Sequence, residues 1–114
     1  MTSTAEIRHG TCFVTLAGEF DRANVDQLAT EIETCLKAGS SVLFDFGAVT
    51  FVNGAVMSLL HDVLERLGDG GWLGVARPLP EIETILGVAG LSDLPNFRIF
   101  STLEEALEVV DQGR

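Results

Sequence analysis

Val42-Leu43-Phe44-Asp45-Phe46, residues 42–46, is a short run that is nearly all apolar. A strand with one wet face would alternate apolar and polar residues. This one does not, which is the pattern of a strand buried on both faces in a parallel sheet. The residues that follow change period. From about Gly54 to Leu67, Leu59, Leu60, Val63, Leu64 and Leu67 recur at the spacings of a helix face, and Gly68-Asp69-Gly70-Gly71 ends it. A buried strand feeding a helix is half of a β-α-β unit.

Reading outward from that centre extends the pattern. Upstream, Ala5–Arg8 and Thr11–Ala17 predict two strands around a turn at His9-Gly10, with Cys12, Val14 and Leu16 alternating against Thr11, Phe13 and Thr15. Gly18 is expected to break the second strand. Ala23–Lys37 then carries Val25, Leu28, Ala29, Ile32, Cys35 and Leu36 on one side and Asp26, Glu31, Glu33 and Lys37 on the other, an amphipathic helix with Gly39 as its stop. Asp21 suits the N-terminal end of that helix, where a carboxylate meets free amides and the helix dipole. Downstream, Trp72–Ala76 predicts a strand, Pro80 opens a third helix that Gly90 closes, and Phe97–Phe100 is the last strand. Thr102 and Glu105 have capping-box spacing for a final helix bearing Leu103, Ala106, Leu107 and Val110. The order β-β-α-β-α-β-α-β-α defines an α/β fold, a mixed but largely parallel sheet with four helices. No linker or repeat interrupts it, so residues 1–114 are expected to form one domain with a core of about residues 5–111.

Composition limits the function. With 46% hydrophobic residues in 114, the chain can bury a core without a metal or disulfide staple. Seventeen acidic against seven basic residues give a formal charge of −10. Nucleic-acid affinity needs clustered Lys and Arg, so nucleic acid is not an expected partner, and anionic membrane surfaces are disfavoured likewise. Such a charge would steer the chain towards a basic protein surface, and it also serves plain solubility. Met1–Glu6 has neither the basic nor the apolar region of a signal peptide, and no apolar run approaches the roughly 18 residues of a membrane span. The expected location is cytoplasmic. Cys12 and Cys35 lack metal-ligand spacing, and in a reducing cytosol they are expected as free core thiols, with a redox bridge as the alternative.

The loops after the strands hold no catalytic constellation. Glu19 and Asp21 read as surface charge and cap in preference to an acid/base pair. His9 and His61 have no partner at ligand spacing, so neither metal nor cofactor is expected. Gly68-Asp69-Gly70-Gly71 precedes a strand, the wrong context for a phosphate loop. The chain is therefore expected to bind rather than catalyse. The unusual segment is Val49-Thr50-Phe51-Val52-Asn53-Gly54-Ala55-Val56-Met57, apolar where loops are usually polar. Phe51, Val52, Val56 and Met57 could pack inward, or part of the segment could form a flat platform that Gly54 and Ala55 let a partner approach. Asn53 is a good N-cap for the helix that follows.

Three stretches in register resemble the STAS family, named for sulphate transporters and anti-sigma factor antagonists: Val14–Asp21, Val42–Val52 and Phe100–Leu107. The resemblance runs from about Phe13 to Val110. It implies a module that binds an anti-sigma factor of the serine-kinase (GHKL) type and so frees a sigma factor. In such antagonists an Asp-Ser-Ser/Thr-Gly motif opens the second helix, and its third residue is phosphorylated by the kinase. The aligned residues here are Asn53, Gly54, Ala55 and Val56, and all depart from it. Ala55 has no hydroxyl to phosphorylate. Thr50 and Ser58 are the nearby hydroxyls. The partner-binding patch implied is Asp21, Arg22, Asn53, Gly54, Ala55, Val56, Met57 and Ser58, on a monomer or weak homodimer. Two other readings stay open: a STAS subunit that binds the ATPase of a lipid ABC transporter, and a small-ligand or nucleotide sensor.

Overall fold

The computed structural model describes residues 2–36 and 41–112. Two strands, β1 (Thr2–Arg8) and β2 (Thr11–Phe20), form an antiparallel hairpin. Then α1 (Val25–Leu36), β3 (Ser41–Val52), α2 (Gly54–Leu67), β4 (Leu73–Ala76), α3 (Pro80–Val88), β5 (Phe97–Phe100) and α4 (Leu103–Asp111) follow, with short 3₁₀ turns at Gly68–Gly70 and Leu91–Asp93. The five strands lie in chain order, and β2 to β5 are parallel. This is the mixed, largely parallel sheet with four helices that the periodicities predict.

Stepping across a sheet one strand at a time with right-handed crossovers puts every crossover helix on the same face. The two cores follow that rule. Leu28 and Ile32 of α1, Val56, Leu60 and Val63 of α2, and Ile82 and Leu86 of α3 pack with Val14, Leu16, Val42, Phe44 and Phe46 on one face. Ala106 and Val110 of α4 cover Phe13, Leu43, Trp72, Ala76 and Phe100 on the other. β3 therefore has both faces covered along Val42–Phe46, as its unbroken apolar run requires. Gly74 leaves room for two rings at the second core. A Cβ there would sit 2.8 Å from both Phe100 and Trp72, which meet edge to face with centroids 6.2 Å apart.

Three local expectations need correction. β2 does not stop at Gly18, which adopts φ 97 and stays in the strand. β3 does not end at Phe46 but continues through the expected loop to Val52. Cys12 is buried but not a free thiol, since it is disulfide-bonded. The stop assigned to Gly39 and the side chain of Cys35 lie outside the described residues.

Candidate docking site

Both extensions run through shifts of register. The β2–β3 register steps from Thr15↔Asp45 to Ala17↔Ala48, and again from Gly18↔Val49 to Glu19↔Phe51, each time with an extra residue on β3. A bulge bends the strand and sharpens its twist. β4 pairs with β3 only as far as Asp45↔Ala76. Beyond that point the tail of β3 follows β2 alone, and the last paired residues are Phe20 and Val52. The turn that starts at Asp21 and the helix cap at Asn53 therefore emerge side by side at the carboxyl end of the sheet.

Each is tied down by its own hydrogen bonds. The Asp21 carboxylate accepts from the Ala23 N–H at 2.9 Å, and the Asn24 side chain accepts from the Asp21 N–H at 3.0 Å and donates to the Glu19 carbonyl at 2.9 Å. Asn53 caps α2 as its position predicts, with its side-chain oxygen accepting from the Ala55 N–H at 3.1 Å. Thus Arg22, Gly54 and Ser58 are exposed, while Asp21, Asn53 and Ala55 are partly so. Thr50, at the second bulge, is also exposed.

The structure divides the predicted patch. Asp21, Arg22, Asn53, Gly54, Ala55 and Ser58 come together at one end of the sheet. Val56 and Met57 do not join them on the surface: they are 1% and 6% exposed and belong to the core with Val52. On a helix that begins at Gly54, residues 56 and 57 fall on the face turned to the sheet, so their apolar character serves packing. Phe51, two residues before Asn53 and outside the predicted patch, is an exposed apolar side chain, at 47%. It pairs with Glu19, next to the buried Phe20↔Val52 pair, so Phe51 and Glu19 share the sheet face opposite α2. The apolar stretch 49–57 contained the signal, but periodicity could not tell which of its residues faces out.

A second device holds the bent strand. Asp45 has 6% side-chain exposure and is gripped by Arg77, whose Nε and Nη2 each donate to a carboxylate oxygen at 2.8 Å. The Gly47 N–H donates to the same carboxylate at 2.9 Å. Arg77 reaches it from the end of β4 in a left-handed conformation, φ 46, and its guanidinium crosses the space that a Cβ on Gly47 would occupy. Burial pushes the Asp45 carboxyl up, but the Arg77 and Gly47 hydrogen bonds and the guanidinium charge outweigh it and hold the group below its ordinary value. The latch sits where the first bulge begins.

Fold and site together define a small α/β domain with a helix N-terminus beside a strand-end turn at the carboxyl end of its sheet. A family model for the STAS domain matches residues 2–106, and this chain belongs to that family. Its relatives include the anti-sigma-F factor antagonist RsfB of Mycobacterium tuberculosis, 27% identical over 115 residues that cover all of this chain and 93% of RsfB. An anti-sigma factor antagonist from Mycobacterium paratuberculosis superimposes with a TM-score of 0.81 at 25% identity, covering 96% of this chain and 92% of the other. The Bacillus cell fate determinant SpoIIAA in its phosphorylated form has the same fold, with a TM-score of 0.74, 23% identity, and coverage of 96% and 99%. No described helix is long and apolar enough to cross a membrane.

Proposed function

We propose that this chain is an anti-sigma factor antagonist: a non-catalytic module that docks on an anti-sigma factor of the serine-kinase type and releases the sigma factor it holds. The relatives named as antagonists support the reading, and so does the end of the sheet where Arg22, Gly54 and Ser58 are exposed beside the Asn53-capped start of α2, with Phe51 exposed on the other face of the same strand end. Small residues with backbone open to close approach, and an exposed aromatic at the same strand end, suit protein recognition better than small-molecule chemistry. The observation that carries the reading is this arrangement with Ala55 at its centre.

Ala55 also sets the mode of control. Phosphate on a helix N-terminus adds close to two negative charges and can reorganise a docked partner. An alanine cannot accept it, so this antagonist is not switched off at that position. Pull-down from the cell with the intact chain as bait tests the assignment. An anti-sigma kinase should be recovered, and its recovery should fall with Phe51→Ala or Arg22→Glu. Capture of an ABC transporter ATPase in its place would reassign the module to transport. Stabilisation by a nucleotide, with neither protein recovered, would make it a sensor.

A further inference from the structure

β1 is the edge of the sheet. Among the described residues it lies beside β2 alone, so one side of the strand from Thr2 to Arg8 has no described neighbouring strand. The turn at His9-Gly10 determines which groups lie on that side. Both residues have positive φ, 50 and 80, as a two-residue type I′ hairpin requires. Its closing pair, Arg8 and Thr11, exchanges both ladder hydrogen bonds, and the alternation then repeats at Glu6–Phe13 and Thr4–Thr15. The N–H and C=O groups of Ser3, Ala5 and Ile7 are left pointing outward. Among the described residues, no turn, loop or cap hydrogen bond reaches them.

Proteins usually blunt such an edge with Pro, Lys or a bulge. Thr2–Arg8 contains neither Pro nor Lys, and its register with β2 runs without a shift; its charges are Glu6 and Arg8, and Arg8 is drawn to Asp111 of α4 at 3.2 Å. Ile7 is 45% exposed on it.

We propose that β1 pairs with β1 of a second copy, antiparallel, across a two-fold axis at Ala5, so that two sheets join into one. Two-fold symmetry makes an edge meet itself antiparallel. With the axis at Ala5, Ser3 faces Ile7 of the second copy, Thr4 faces Glu6, and Thr2 faces Arg8. Every outward backbone group then has a partner along the whole strand. Glu6, which joins none of the ion pairs among the described residues, gains the Thr4 hydroxyl of the second copy as a donor. Other registers are poorer. An axis at Glu6 sets like charges face to face, which is destabilising. An axis at Ile7 runs the pairing into the His9-Gly10 turn, and one nearer the N-terminus shortens the overlap within Thr2–Arg8.

The net charge opposes this dimer. Two chains of −10 repel, so the association is weak at low ionic strength and strengthens as salt screens the repulsion. The dimer leaves the docking surface free. β2 to β5 of the two copies run in opposite directions across the axis, so the two docking ends point away from each other and one dimer can hold two partners.

Sedimentation velocity on the intact chain, from micromolar to millimolar at low and high salt, tests this. Particle mass should rise from 12.2 kDa towards twice that value with concentration, and further at high salt. Ala5→Pro removes an outward donor and places the ring on the outer side while sparing the β1–β2 ladder. It should weaken self-association by about tenfold or more, with the circular dichroism spectrum unchanged. If Ala5→Pro fails to fold, Ile7→Lys, which puts a charge on the edge, serves in its place with the same expected loss. A single-chain mass at every concentration and salt would overturn the proposal, and so would folded variants that associate as the wild type does.

Discussion

Arg77 closes a bidentate hydrogen-bonded pair over Gly47, and residue scale is where that pair can be tested. Arg77→Met removes the guanidinium and leaves the Asp45 carboxylate buried with only the Gly47 amide. The loss should be about 1–3 kcal/mol, at the lower end because Arg77 is half-exposed and water screens it. Its pH dependence has a definite sign. The folded Asp45 carboxyl titrates below its unfolded value, so the pair's contribution is complete above the unfolded carboxylate range and is lost as pH falls through the folded value. Thermal melts of wild type and Arg77→Met should therefore converge in acid. A gap that stayed constant to low pH would mean that the pair is not the source of the difference. At the same scale, Phe51→Ala should lower partner affinity by about tenfold or more without moving the melting temperature much, since the ring is half in solvent. None of the Arg77 geometry was legible beforehand. Asp45 sits in an apolar run and Arg77 in a Pro-flanked loop, thirty-two residues apart, and only the β3–β4 pairing brings them together.

At the scale of elements, β3 shows why part of the sequence misleads. Buried residues in a regular strand recur at two, but in the tail of β3 they fall at Phe46, Val49 and Val52, a spacing of three. Each bulge inserts one residue and shifts the phase, so the segment has no strand period to detect. Gly18 misleads similarly, since a glycine with positive φ looks like a terminator and here accompanies a shift in register. The capped elements were readable because their signals are local. Thr102 accepts from the Glu105 N–H at 3.1 Å and Asn53 caps α2, both as their spacing predicts. Asn53→Ala should cost about 0.5–2 kcal/mol in denaturant unfolding. Because the cap also fixes the entry to α2, partner affinity should fall by more than the stability change alone accounts for. Equal affinity in Asn53→Ala would detach the cap from the docking surface.

For the whole molecule, the order of elements and the mixed, largely parallel sheet followed from alternating periodicities, while the order of strands in the sheet and its two cores did not; the candidate docking end followed from the family resemblance and the strand-end loops. What the sequence left open was which residues of the candidate site face outward, which depends on the register shifts in β3. The acidic charge acts on the molecule as a whole. Association with a basic partner should slow as salt is raised, opposite in sign to self-association through β1. Stopped-flow rates at two ionic strengths would separate the two, and a rate indifferent to salt would deny the charge a steering role. The proposed function depends most on the start of α2 being a docking surface with no phosphate acceptor at Ala55. Calorimetric titration against an anti-sigma factor of the serine-kinase type, before and after incubation with ATP, measures that directly for wild type and Ala55→Asp. Wild-type affinity should be the same in both conditions, and Ala55→Asp should bind far more weakly while staying folded. Loss of wild-type binding after ATP, with phosphate on Thr50 or Ser58, would contradict the account, as would Ala55→Asp binding like the wild type.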